Sequence, residues 1–126
     1  MSKKIKGGCF CGAINFEFIS GDYLVANCHC QMCRKTSAAP FVTWVVVPKA
    51  NFNYTQGQPS ILKSSEKGQR EFCHQCGTPM VFRTSERPDV VDITTGCLEN
   101  PNDFVPSVAV HDESKLKWLS HTEVSK

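Results

Sequence analysis

The chain's 126 residues, 40% hydrophobic and 21% charged with eight cysteines, hold enough apolar mass for one globular domain over residues 1–126 without disulfide staples. A formal charge of +2, a pI near 8.1 and scattered lysines argue for neither a nucleic-acid partner nor an anionic membrane surface. Met1 to Gly8 carry lysines with no apolar stretch behind them, and no run nears the length of a membrane span, so the expected location is a reducing cytoplasm that keeps thiols free for metal.

Strand periodicity dominates the chain. Ile14, Phe16 and Phe18 alternate with Asn15 and Glu17 before a turn at Ser20-Gly21-Asp22. Residues 31–37 are the one stretch that reads as helix, of one or two turns. Residues 39–47 are β-branched and aromatic enough for a buried strand, closed off by Pro48. Further short strands are expected near residues 52–54, 60–63, 69–73, 79–83, 90–95 and 105–110. Turn residues separate them at intervals typical of an all-β sandwich. The expected fold is therefore all-β and mainly antiparallel, a compact sandwich-like unit stitched by zinc, with very little helix.

Seven of the eight cysteines fall in three clusters: Cys9-Phe10-Cys11, Cys28-His29-Cys30-Gln31-Met32-Cys33 and Cys73-His74-Gln75-Cys76-Gly77. Residues two apart in an extended segment share a face, yet their Cβ atoms stay beyond the roughly 3.5 to 4.5 Å of a disulfide. Zinc, with Zn–S of about 2.3 Å, needs sulfurs only about 3.7 Å apart and no bond between them. The clusters thus read as ligand sets for Zn2+ at two sites. Cys73, Cys76 and Gly77 have the form of a zinc knuckle, in which the glycine permits a positive φ and lets backbone N–H groups face the sulfurs. Cys9 and Cys11, set between Gly8 and Gly12, are the best donors of the other two ligands, giving a closed four-thiolate site. Cys28, Cys30 and Cys33 offer three thiolates and no obvious local fourth. Three protein ligands and one open corner are the pattern of a reactive zinc. In the alternative, Cys97 or a histidine completes that site and makes it structural.

Such a site carries a net charge near −1, suits a soft thiol, and would hold it as a thiolate nucleophile for attack on a carbonyl. Arg34 and Lys35 follow the last ligand; they either offset the charge and pair with a thiol's carboxylates or are solvated surface charges. His29, between two ligands on one face, is expected to point away from the metal, and His74 to be exposed. Phe41 and Trp44 read as core or as a pocket wall, and Cys97 as a small buried filler. His111 and His121 have no motif around them.

Four strings carry a resemblance: Gly8-Cys9-x-Cys11-Gly12, Cys28-His29-Cys30-x-x-Cys33-Arg34-Lys35, Phe72-Cys73-x-x-Cys76-Gly77-Thr78 and Thr95-Gly96-Cys97-Leu98-Glu99-Asn100-Pro101. From Gly8 to about Trp118 the chain resembles the glutathione-dependent formaldehyde-activating enzyme family, the group that also contains centromere protein V. The resemblance implies a β-rich fold with a structural zinc on Cys9, Cys11, Cys73 and Cys76 and an exposed catalytic zinc on Cys28, Cys30 and Cys33. It implies a carbon–sulfur lyase that condenses glutathione, or a similar small thiol, with formaldehyde or another small aldehyde to S-hydroxymethylglutathione. A non-catalytic zinc-thiolate module that carries glutathione or docks a partner protein, and a purely structural scaffold, are the other readings. The family often has Pro-x-x-His near the carboxy terminus, whereas here Pro106 leads to Ala109 at the histidine position. That departure bears on the thiol-binding pocket and leaves the zinc ligands intact.

Overall fold

In the computed structural model, which describes residues 3–119, the first strands are β1 (Lys4–Gly8), β2 (Asn15–Ile19) and β3 (Val25–Cys28). The short helix α1 (Gln31–Ser37) leads into β4 (Val42–Pro48), β5 (Phe52–Gln56) and β6 (Ser60–Leu62). Then come β7 (Gly68–Phe72), β8 (Pro79–Thr84), β9 (Val90–Thr94) and β10 (Val108–Val110). They form a three-stranded sheet in the order β1-β2-β5 and a seven-stranded sheet in the order β10-β3-β4-β9-β8-β7-β6. The fold is all-β. Every pairing is antiparallel except β10 beside β3, which is parallel. His121 lies outside the described residues.

The alternation of β2 aims Phe16 and Phe18 at the large sheet, where they meet Val45, Val47, Val91 and Ile93, all 1% exposed or less. Phe16 packs on Phe52 with ring centroids 5.5 Å apart. Burying each such side chain is favourable by about 1.5–3 kcal/mol. β4 is apolar on both faces for a reason. Val45 and Val47 enter this core, while Val42 and Trp44 join Cys28 and Cys33 in a second, smaller cluster on the opposite face.

α1 occupies the residues expected of it. It starts at Cys30, whose backbone is extended (φ −65°, ψ 152°), and stops at Ala38 in the left-handed region (φ 52°), just ahead of Pro40. That left-handed residue and the proline explain why β4 begins at Val42 and not at residue 39. The last strand is shorter than the expected 105–110, since Pro106 has no N–H to give a ladder. Three one-turn 3-10 segments, Lys49–Asn51, Pro101–Asp103 and Asp112–Ser114, fill stretches for which no element was expected, and a fourth, Thr95–Cys97, takes the last residue of the strand expected over 90–95. β3 was not expected either: all four of its residues are buried, so it has no alternation to read.

Candidate metal centres and the cleft above them

The loop after β1 brings Cys9 and Cys11 to Cys73 and Cys76 of the β7–β8 connection, and all four sulfurs lie within 4.8 Å of one another. Cys9 and Cys11 Sγ are 3.7 Å apart, and Cys11 and Cys73 Sγ 3.8 Å. A tetrahedron with Zn–S of about 2.3 Å has edges of about 3.8 Å, so these two edges already match and the four residues are able to hold the metal. Gly12 (φ +83°) and Gly77 (φ +82°) each follow the second cysteine of a loop in a backbone region that other residues adopt at a cost. The Gly77 N–H donates to the Cys73 carbonyl at 2.7 Å, closing the knuckle. The Ile14 N–H donates to Cys9 Sγ at 3.3 Å. Thr78 binds the two loops together: its Oγ1 accepts from the Phe10 N–H at 3.1 Å and lies 3.1 Å from Cys76 Sγ. Hydrogen bonding from the Thr78 hydroxyl and backbone holds the Cys76 thiol down at about 5.

Cys28 ends β3, Cys30 caps α1 and Cys33 stands in the helix's first turn, so a strand end and a helix start set three sulfurs within 4.8 Å of one another. The Cys33 N–H donates to Cys30 Sγ at 3.2 Å, and Cys28 and Cys33 Sγ are 3.3 Å apart. The Cys33 thiol is held down at about 5 by hydrogen bonding with Cys28, then by Cys30 and Arg70. Cys28 is pushed far up by the same bond to Cys33 and by burial. Among the described residues no fourth cysteine, histidine or carboxylate joins this set. Cys97 is elsewhere, packed against the main core with its Sγ 3.0 Å from Thr94 Oγ1, and is half-buried where a buried filler was expected. His29 is fully buried with its ring 5.2 Å from that of Phe41 and does not join the three sulfurs, and His74 is exposed.

The three sulfurs open into a cleft of about 580 Å³. Sheet register builds it: Val46 lies opposite Asp92, Asp92 opposite Phe82, and Phe82 opposite Arg70, a row across four strands on the face that also carries Trp44. Leu24, Ala26 and Val110 extend the apolar wall, and Phe82 meets Trp44 with ring centroids 6.2 Å apart. At one end Arg87 and Asp92 form a two-pronged ion pair with contacts of 2.6 and 3.2 Å. Next to the sulfurs stands Arg70, only 6% exposed, with Nη2 3.7 Å from Cys33 Sγ.

Arg34 and Lys35, the cations expected at this site, do not line the cleft. Met32 and Cys33 face it, and at 3.6 residues per turn the next two side chains rotate off that face. The cation that does line it, Arg70, was missed: it is distant in sequence from Cys33, and a β-strand position becomes inward or outward only once register is known. Ala109 pairs with Asn27, while its neighbour Val110 pairs with Cys28 and lines the cleft. Successive strand residues point to opposite faces, so position 109 is turned away from the cleft.

The sequence profile of the glutathione-dependent formaldehyde-activating enzyme family matches residues 4–114. The chain belongs to that family. Among its relatives, an uncharacterized lyase of Schizosaccharomyces pombe is 30% identical over 77 residues, covering 61% of this chain and 56% of that protein. The chain thus spans little more than half of the fission yeast relative. A Halomonas elongata protein, assigned by name only to glutathione-dependent formaldehyde activation, is 26% identical over 124 residues, covering 91% of this chain and 79% of its own. A crystal structure of a Rhodobacter sphaeroides protein superposes with a TM-score of 0.67 at 20% identity, over 83% of this chain and 99% of that one, a likeness of fold. The lyase character of the family rests on such names; the two cysteine clusters, each able to hold a metal ion, are features of this chain itself. No helix among the described residues is long and apolar enough to cross a membrane.

Proposed function

We propose that the protein is a zinc-dependent carbon–sulfur lyase of this family, joining glutathione or a similar small thiol to formaldehyde or another small aldehyde. Cys9, Cys11, Cys73 and Cys76 hold a structural zinc in this reading, and Cys28, Cys30 and Cys33 a reactive one. The observation that carries it is the convergence of three sulfurs at the foot of a cleft with no fourth ligand from the described residues. A zinc ion there would bind a soft sulfur ligand and hold it as thiolate at neutral pH. The cleft keeps thiol and aldehyde together, which removes the entropy of a bimolecular encounter. Trp44, Val46 and Phe82 exclude water from one side of the reacting pair.

The step balances simply. The thiolate sulfur donates its electron pair to the carbonyl carbon, the C–S bond forms, the C=O π bond breaks, and the oxygen takes a proton from water. The thiol has lost its own proton on binding, so no net acid or base is consumed.

The condensation also proceeds unaided, so the test is a rate. Exchange between free formaldehyde and S-hydroxymethylglutathione, followed by NMR line broadening, should accelerate with the zinc-loaded protein and return to the uncatalysed rate with Cys30→Ser. Glutathione binding without faster exchange would reject the enzyme and leave a thiol carrier. No binding at all would leave a scaffold.

A further inference from the structure

A buried cation needs an anion. Transferring a guanidinium from water into an apolar site costs several kcal/mol unless a negative group meets it. Arg70 is 6% exposed, lies against Phe82 with its guanidinium carbon 4.8 Å from the ring centre, and is 5.9 Å from the centre of Trp44. Both rings accept a cation on their faces, and the plane they set restricts how the guanidinium can turn. Among the described residues Arg70 has no carboxylate partner, and its buried Nε has no hydrogen bond. Its polar contact is with Cys33 Sγ at 3.7 Å. The cleft's other arginine, Arg87, is already matched by Asp92.

We infer that Arg70 is the counter-cation of the three-sulfur set, and that it makes the cleft selective for an anionic sulfur ligand over a neutral donor. The inference rests on the reading that Cys28, Cys30 and Cys33 share a divalent metal. Three thiolates and a divalent ion carry a charge of about −1, which a neutral fourth ligand leaves unchanged and a thiolate takes to about −2. Beside Trp44 and Phe82 little water screens that second charge, so a fixed guanidinium next to Cys33 favours the thiolate form. Arg70 is thus a specificity-determining residue, fixed by the aromatic pair before any ligand arrives.

The probe is cobalt(II), whose visible and near-ultraviolet bands report sulfur ligands directly and need no turnover. Wild type, Arg70→Gln and Arg70→Lys are loaded with cobalt and titrated with 2-mercaptoethanol, a thiol with no charge in its body, and separately with imidazole, a neutral donor. The wild type should take two metals and prefer the thiol. Arg70→Gln should still take two metals but bind the thiol about tenfold or more weakly, the loss of one charge-assisted contact, with imidazole affinity within about twofold. Arg70→Lys, which keeps the charge but loses the planar stack, should fall between them and stands in if the glutamine variant does not fold. A thiol-to-imidazole ratio unchanged in both variants overturns the inference while leaving the metal reading intact. So does loss of the second metal at saturating cobalt in both variants, since Arg70 would then only hold the cluster together. A wild type that takes one metal, or whose bands respond to neither ligand, overturns the underlying reading itself.

Discussion

The two cysteine clusters use the same side chain and nearly the same spacing, yet one is closed and the other open. The closed set draws its sulfurs from two loops 62 residues apart in sequence, so closing it fastens the amino-terminal strands to the middle of the chain. The open set draws all three sulfurs from residues 28–33, a strand end and the helix that follows it. A metal there ties together little that the backbone has not already joined. Stabilisation from a cross-link grows with the loop it closes, so in the proposed reading the first site contributes to folding and the second is left for chemistry. Burial does not separate the two sets, since Cys11 is exposed in the first while Cys28 and Cys33 are buried in the second; what separates them is the cleft that Cys28, Cys30 and Cys33 line.

The sharpest test of this contrast is Cys73→Ser. Zinc in such a site is worth roughly 10 to 16 kcal/mol, at or above the 5 to 15 kcal/mol stability of a domain this size. The variant should be insoluble or unfolded by circular dichroism. A native-like variant that retains its full metal content would remove the basis for calling this site structural.

Cys30→Ser should behave differently. Cys30 also caps α1, its Sγ accepting the Cys33 N–H. Serine is among the preferred residues for that position, so the helix should survive the change. The expected variant is folded, melts only several degrees below wild type, and carries one metal fewer by elemental analysis. A collapse as deep as that of Cys73→Ser would make both sites structural and erase the comparison.

Much of this was legible because it is local. Each cluster spans six residues or fewer, and its spacing alone separates a metal site from a disulfide. The bounds of α1 were legible too, since the helix is set by its neighbours in the chain. What was hidden depends on long-range register. β3 has no period because all four of its residues are buried, so neither face stands out in the sequence; Asn27 within it accepts from the Thr43 hydroxyl. Arg34 and Lys35 drew attention by adjacency to Cys33. Arg70 lies 37 residues from Cys33 and reaches it only because β7, β8, β9 and β4 align in one row.

A smaller effect is expected at Gly77. A Cβ built there meets no heavy atom within 4 Å, so the cost of Gly77→Ala is backbone strain alone. At φ +82° that strain is about 1 to 2 kcal/mol, which lowers Tm by roughly 3 to 10 °C. Both metals should remain bound. Loss of the four-thiolate metal in this variant would mean that the loop tolerates no adjustment at all, and that the closed site is nearer to failure than its geometry indicates.

The smallest expected effect comes from restoring the family's histidine. Relatives often carry histidine where this chain has Ala109, which invites the reading that the change reshapes the thiol pocket. The register argues otherwise. Ala109 faces the side of Asn27, whereas Val108 and Val110 lie opposite Ala26 and Cys28 on the side of the cleft. A histidine at 109 would have to reach through the sheet to touch a ligand beside Cys28. Ala109→His should therefore leave glutathione affinity within about twofold of wild type, less than about 0.5 kcal/mol. Its cost should fall on stability instead, because a larger polar ring must find room beside the buried Asn27. Calorimetric titration of glutathione into the zinc-loaded variant, with a melt run in parallel, separates the two. A tenfold gain in affinity at unchanged Tm would put position 109 in contact with the ligand and would require β10 to present its other face to the cleft.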